Sequence, residues 1–570
     1  MIGWTLRRVV RLTLLLAGAP LLLLRAALGR LGPRRLLDLR LHGPVADVPQ
    51  PIPLWRRLRR DDAPAPALHT VLAAFDAACD DPKLAGVALR LEGAQLPLVG
   101  AEVLLDAIDR LKAAGKQVTV WSDDLGPADL VVAAAADRAY GLPVGQLGFV
   151  GVRARAVLAP DLLETLGVGV QLARHGDYKT LADAFTHREL SPAHREMLAD
   201  LGGDLYEQVI TPLIVGRGLE RAAVTAALDD APVSCEAAAQ ARLLDGVAYR
   251  DQVASLAGAL TGLGDEPPTC GLTRPLRRAR RRRWLGTVLR DPARVRTIVL
   301  RGSIHDGDHG RGVLSGPAVR ALDAAREDDG VAAVVLRIDS PGGSAVASDV
   351  IWRAARRLNE AKPVVASLGS VAASGGYYIA AAARRIVAHR ATLTGSIGVV
   401  SGKLHLAPAL RRWGVHTPGV TFGARAGMFD PDRPFTPDEL AAVERELMRF
   451  YETFVARVAE GRGMTPEAVD AVAQGRVWTG RRAQPLGLVD VVGDHRRAVA
   501  EAAELAGVTR VAEEFVTPAA RGARLGAFGL AAPTGGLVGR ALDAAQLADD
   551  LARLARQPVL ALCPWGVDGV

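Results

Sequence analysis

Two stretches of this 570-residue chain lie over each other without a gap, and this duplication limits the possible folds more than any other feature. Adding 247 to each number brings Leu84–Arg138 onto Val331–Arg385. Val87 then meets Val334, Leu89 meets Leu336, Arg90 meets Arg337 and Leu111 meets Leu358. After small compensating gaps the register returns at Gly167 and Gly414, and again at Gly176 and Gly423. So long a period marks a duplicated domain rather than a solenoid. Within each copy an apolar run (GVALRLEG, AAVVLRIDS) precedes an amphipathic stretch with helical spacing (AEVLLDAIDRLKAAG, SDVIWRAARRLNEA). A second apolar run (QVTVWS, PVVASLGS) follows. Strand, helix and strand in succession predict an α/β fold of two tandem domains, each a parallel-sheet core flanked by helices.

The repeats occupy residues 36–264 and 295–520. Between them, residues 265–294 carry Pro, Gly and six arginines from Arg277 to Arg283, and read as a solvated basic linker. Contact with anionic lipid headgroups is the sharper alternative. No aromatic interleaving or reading module accompanies the block, which argues against nucleic acid as a partner. Residues 521–570 form a Gly/Ala-rich tail with one amphipathic helix, ALDAAQLADDLARLAR. Residues 1–35 hold an apolar run of thirteen residues, Leu12–Leu24, between Arg11 and Arg25. A spanning helix needs ~20 residues, although flanking arginines can snorkel to lengthen a shorter one. The segment is read as an N-terminal anchor or interfacial helix at the cytoplasmic membrane, with no orientation set by its flanking charges. The four cysteines show no metal or disulfide spacing, and neither metal nor cofactor is expected.

The chemistry begins with SLGSVAASGGYYIAAAA, in which a strand runs into an apolar helix. Ser374, followed by Gly375 and Gly376, puts a hydroxyl at a helix start, where backbone N–H groups favour developing negative charge. Upstream, IDSPGGS places Gly342 and Gly343 directly after a strand. Amides near Gly343 and Gly375 together would form an oxyanion hole. The plainer readings are an N-cap serine and a simple turn. Finding both motifs in order, about 30 residues apart on adjacent strands, favours the catalytic reading.

A nucleophilic serine needs a base. His389, His405 and His416 lie nearby in sequence, but His389 and His405 sit beside polar or basic residues and neither has an obvious carboxylate partner. The basic residues supply a better candidate. Only six of the 70 are lysines, so a lysine stands out against a background of arginine. A desolvated lysine can act as a neutral base, which arginine cannot. Lys179, in GDYKTLADAF, maps onto Ala426 under the 247 offset, whereas Ser374 maps onto Pro127 and Gly342–Gly343 onto Gln95–Leu96. Each repeat keeps what the other has lost. One Ser374/Lys179 pair, split across the duplication, is therefore expected to meet near the junction of the halves, with the lysine serving the serine of its own chain or of a neighbouring one. Ser396, in LTGSIGVV, is either site-shaping or a turn serine.

The order GDYK, IDSPGGS, ASGGYY, LTGSIGVV, with GLVD closing the second repeat and LLDG echoing it in the first, resembles the long, tandem-domain form of signal peptide peptidase A (protease IV). The likeness covers roughly residues 36 to 510. It implies a Clp protease/crotonase-like fold, Ser374 as nucleophile, Lys179 as base, and oxyanion amides at Gly343 and Gly375. It also implies a homotetramer on the membrane that cleaves signal peptides and other unfolded hydrophobic segments. Two alternatives are a crotonase-like acyl-CoA hydratase or hydrolase and a non-catalytic membrane scaffold. The first requires an acidic base and no serine at position 374.

Overall fold

The 247 offset holds for the elements themselves. Adding it to Leu84, Leu98, Gln117 and Arg138 gives Val331, Ala345, Val364 and Arg385, and each pair opens matching elements. These are the strands Leu84–Gln95 and Val331–Ser340, the helices Leu98–Ala113 and Ala345–Ala361, the strands Gln117–Ser122 and Val364–Ala373, and the strands Arg138–Gly141 and Arg385–Ala388. The computed structural model describes residues 33–49, 65–287, 292–518 and 560–562. The apolar run Leu12–Leu24 and the amphipathic stretch of the tail lie outside these. Among the described residues no helix is long and apolar enough to cross a membrane.

In the first sheet the strands run Gly246–Val247, Arg138–Gly141, Gln117–Ser122, Leu84–Gln95, Arg35–Pro44 and Thr269–Cys270, all parallel. The second repeats that order with Val491–Val492, Arg385–Ala388, Val364–Ala373, Val331–Ser340, Ala293–Arg301 and Val511–Val516, again parallel. The central strands read as continuous apolar runs because helices cover both faces. Val334, Leu336, Ile338, Val364, Ala366 and Leu368 are inaccessible to solvent, and Ile351, Ala355 and Leu358 of the helix Ala345–Ala361 join them in one core. Each such Val, Ile or Leu side chain contributes roughly 1.5–3 kcal/mol by leaving water.

The sequence repeats and the compact units do not coincide. Among the described residues one unit takes 33–49, 65–152, 205–287 and 292, while the other takes 153–204, 293–518 and 560–562. A piece of the first repeat is thus built into the unit that carries Ser374. Its strand Gly169–His175 pairs antiparallel with Val399–His405 over seven residue pairs, from His175 opposite Val399 to Gly169 opposite His405. Two further segments differ from the sequence reading. The arginine block lies in a helix, Thr273–Thr287, and Arg278 pairs with the buried Asp81 at 2.7 Å. Arginine is a good helix former, so a basic run need not be irregular. Gly342–Ser344 is a short strand rather than a turn, lying parallel to Ile304–His305 and antiparallel to Leu560–Leu562.

The first unit has turned the serine's position to another use. Pro127, Ala128 and Asp129 stand where the second repeat has Ser374, Gly375 and Gly376. Asp129 Oδ2 accepts from Gly126 N at 3.1 Å and Oδ1 accepts from Ser122 Oγ at 3.3 Å, so the helix Pro127–Ala135 caps itself. Desolvation pushes the Asp129 carboxyl from its ordinary 3.8 up to about 7, against hydrogen bonds from Gly126 and Ser122 that lower it. An acid held protonated by the native state stabilises fully below its unfolded pKa and loses that contribution as pH rises through its folded one. Relative to Asp129→Asn, the wild-type chain should therefore lose stability between pH 3.8 and about 7. Denaturant melts across this range check it, and parallel profiles for the two chains would contradict it.

Candidate active site

Ser374 sits between the strand Val364–Ala373 and the helix Gly375–Ala380, with φ +54° and ψ −117°. A non-glycine residue seldom adopts a positive φ, and such strain persists only where the surroundings enforce it. Here Ser374 N donates to Gly395 O and Tyr378 N donates to Ser374 O, both at 2.8 Å. The helix behind it is fixed by Tyr377 Oη donating to Leu488 O at 2.8 Å and Tyr378 Oη donating to Asp349 Oδ1 at 2.7 Å. Leu488 belongs to the GLVD motif, which gives that motif a structural task.

The glycines are needed for close approach. A Cβ on Gly376 would stand 2.8 Å from Ser340 O, and one on Gly375 would stand 2.5 Å from Ser348 Oγ and 3.3 Å from Gly342 Cα. The two glycine loops are therefore in contact beside Ser374. Gly343, at φ +152°, has Ile304 O where a Cβ would collide at 2.1 Å. Gly342 N donates to Ser340 Oγ at 3.1 Å.

Lys179 follows the strand Gly169–His175 in a tight turn, and only 1% of its surface reaches solvent. Its Nζ lies 2.9 Å from Ser374 Oγ, 3.0 Å from Ser396 Oγ and 3.1 Å from Ser396 O. Ser396, with φ +51°, is thus against the amine rather than out in a surface turn. Asp183, fully buried, accepts from Arg174 Nη1 and from Ser191 Oγ at 3.0 Å, and its N donates to Thr180 O at 3.1 Å just after the lysine. His405 ends the strand Val399–His405, and His416 lies in an exposed stretch.

The segment that clamps the lysine, Gln474–Arg476, carries no motif in the sequence. Tyr178 N donates to Gln474 O at 2.9 Å, Gly475 N donates to Ile397 O at 2.8 Å, and Ser396 N donates to Arg476 O at 2.7 Å. Three residues thereby join the lysine turn to the Ser396 loop. The Arg476 side chain adds bonds to Glu196 Oε1 at 2.7 Å and Tyr178 Oη at 3.1 Å. Gly475 has φ +80°, and a Cβ there would stand 2.5 Å from Lys179 N. No local pattern announces this, because the partners lie almost 300 residues apart in sequence. Gly475→Ala should push the lysine backbone aside and lower turnover about 10²-fold in a chain that still folds. Peptide hydrolysis alongside circular dichroism checks it, and a folded variant with wild-type turnover would contradict the clamp.

The description of Peptidase family S49 matches twice, over residues 110–264 and 356–509. A protein named "Serine protease SPPA, chloroplastic" from Arabidopsis thaliana is 30% identical over 442 residues, which cover 76% of this chain and 65% of that one. Proteins named "Protease 4" from Salmonella typhi and Haemophilus influenzae are 31% and 30% identical, covering 77% and 76% of this chain and 72% of each relative. Among solved structures, a ClpP1 mutant from Listeria monocytogenes aligns with 36% of this chain and 94% of its own, at 15% identity and a TM-score of 0.24, a likeness too slight to bear on the fold. With its signature present in both repeats and such relatives spanning three quarters of its length, the chain belongs to peptidase family S49.

Proposed function

We propose that this chain is a serine endopeptidase in which Ser374 is the nucleophile and Lys179 the general base. The observation that carries the reading is the 2.9 Å separation of Lys179 Nζ and Ser374 Oγ, both withdrawn from solvent. Burial disfavours a charged amine. A neutral amine donates to Ser396 Oγ and Ser396 O, and its lone pair accepts the Ser374 proton. Ser374 Oγ then attacks the scissile carbonyl, and the amides of Gly343 and Gly375 hold the oxyanion. Gly342 N already donates to Ser340 Oγ, so Gly342 shapes its loop rather than binding the oxyanion, and Gly376 is read as site-shaping because a Cβ there would meet Ser340 O at 2.8 Å. The lysine next passes its proton to the leaving amine, activates a water, and the acyl-enzyme is hydrolysed. One oxyanion donor is worth about 10²–10³ in rate. The acyl-CoA reading wants an acidic base where Lys179 stands.

The substrate is read as an extended peptide lying between Gly342–Ser344 and Val399–His405. The strand Leu560–Leu562 supports this, pairing antiparallel with Gly342–Ser344, while its Leu560 also pairs with Val400. Strand addition demands an unfolded chain and gives affinity through main-chain bonds. Signal peptides and other unfolded hydrophobic segments meet that demand. A homotetramer attached to the cytoplasmic membrane by the N-terminal segment completes the proposal.

Ser374→Ala and Lys179→Ala should each cut peptide hydrolysis by at least about 10³-fold. Lys179→Arg should be as inactive, because arginine stays protonated. A fluorophosphonate should label Ser374 in the wild-type chain; an active Lys179→Arg enzyme, or active enzyme left unlabelled, would contradict the dyad. Removing residues 519–570 takes away a competing strand, so KM for an extended peptide should fall at least about threefold. An unchanged KM would place the substrate elsewhere.

A further inference from the structure

The arginine block takes no part in the peptidase chemistry, but its place in the first unit gives it another use. The helix Thr273–Thr287 holds seven arginines and no acidic residue. It packs against the helix Leu68–Cys79, with Pro275 buried and Arg278 paired to the buried Asp81 at 2.7 Å. That pair fixes which way the helix faces. Arg274, Arg277 and Arg280 recur every three residues, so they share one side of the helix, and all three are exposed. Among the described residues none of the three forms an ion pair.

The N-terminal segment joins the fold at the same edge. The strand Arg35–Pro44 runs parallel to Thr269–Cys270, with Leu36 opposite Thr269 and Leu37 opposite Cys270. Leu36 N donates to Pro268 O at 2.9 Å, and Arg35 N donates to Lys83 O at 2.8 Å. The helix that follows Cys270 returns to this edge, because its Arg278 meets Asp81, two residues before Lys83. Burial pushes the Cys270 thiol up, and Arg274 and Arg35 both act against that rise, so the two cations share one neighbourhood. Arg34, the residue before the strand, is exposed there as well.

We infer that the helix Thr273–Thr287, with Arg34 at the same edge, is a docking face for anionic phospholipid headgroups. It rests on the reading that the enzyme works at the membrane, and it adds the surface and the lipid class. The apolar run Leu12–Leu24 has thirteen residues, short of the ~20 that a spanning helix needs. A cationic face held rigidly where residues 1–32 join the folded unit supplies a second attachment. Arginine suits the task, since its guanidinium keeps its charge and meets a phosphate with paired N–H donors. Nucleic acid carries the same phosphate chemistry. The entry of an apolar segment beside the face favours lipid.

Partition of the full-length chain onto vesicles at limiting lipid tests the surface. Vesicles of phosphatidylcholine alone report on the N-terminal segment, and vesicles with phosphatidylglycerol added report on both attachments. A chain carrying Arg274→Gln, Arg277→Gln and Arg280→Gln should bind the anionic vesicles at least about tenfold more weakly than the wild type, and the neutral ones equally. Glutamine is a helix former close to arginine, so circular dichroism should be unchanged. Lysine at the same three positions should restore the anionic preference, and high salt should erase it. A wild type indifferent to phosphatidylglycerol, or a glutamine chain that binds anionic vesicles as tightly as the wild type, would overturn the inference. So would a duplex oligonucleotide held more tightly than the anionic vesicles. Binding to anionic vesicles without any to neutral ones would support the face and remove the N-terminal attachment, so the two readings fail separately.

Discussion

The ladder between Gly169–His175 and Val399–His405 brings the amine of one repeat to the hydroxyl of the other. A slip of one residue would move the chain by about 3.3 Å and turn every side chain to the opposite face. Either change exceeds what a 2.9 Å contact tolerates. Seven pairs fix the register, and main-chain bonds from Asp183 to Thr180 and from Tyr178 to Gln474 brace the turn. The meeting of amine and hydroxyl is thus a consequence of strand pairing, reinforced at the turn where the lysine emerges.

Around this contact the backbone is held in unfavourable conformations. Ser374, Ser396 and Gln474 all have positive φ without being glycine. Each conformation costs on the order of 1–3 kcal/mol and survives only when neighbours leave no alternative. The neighbours here are main-chain bonds from Ser374 to Gly395, from Gly475 to Ile397 and from Ser396 to Arg476. Tyr377 and Tyr378, both wholly buried, lock the helix behind the serine. The first unit retains the sheet order but places Asp129 as a self-capping residue where the second has glycine. Duplication preserved the scaffold in both copies and the strained chemistry in one.

Much of this was legible in the chain itself. The offset of 247 predicts the starts of matching strands and helices because apolar patterning is imposed locally by burial on the sheet. Ser374 and its glycines could be read because a hydroxyl at a helix start has a compact signature. Lys179 stood out because lysine is scarce here. What could not be read depends on distant pairing. Nothing in residues 169–175 says that they join 399–405, so the lysine's membership of the Ser374 unit emerges only in the fold. Gly475 and Arg476 act through contacts with Lys179 and Tyr178 far away in sequence. Gly342–Ser344 carries turn chemistry but is drawn into a strand by partners on either side.

One chain brings a lysine amine within hydrogen-bonding reach of a serine hydroxyl in a site closed to solvent. The separation of Lys179 Nζ and Ser374 Oγ in a crystal structure of the full-length chain tests it most directly. A direct contact near 2.9 Å is expected, with Ser396 also touching the amine. A lysine turned out to solvent, or a gap filled by water, would contradict it.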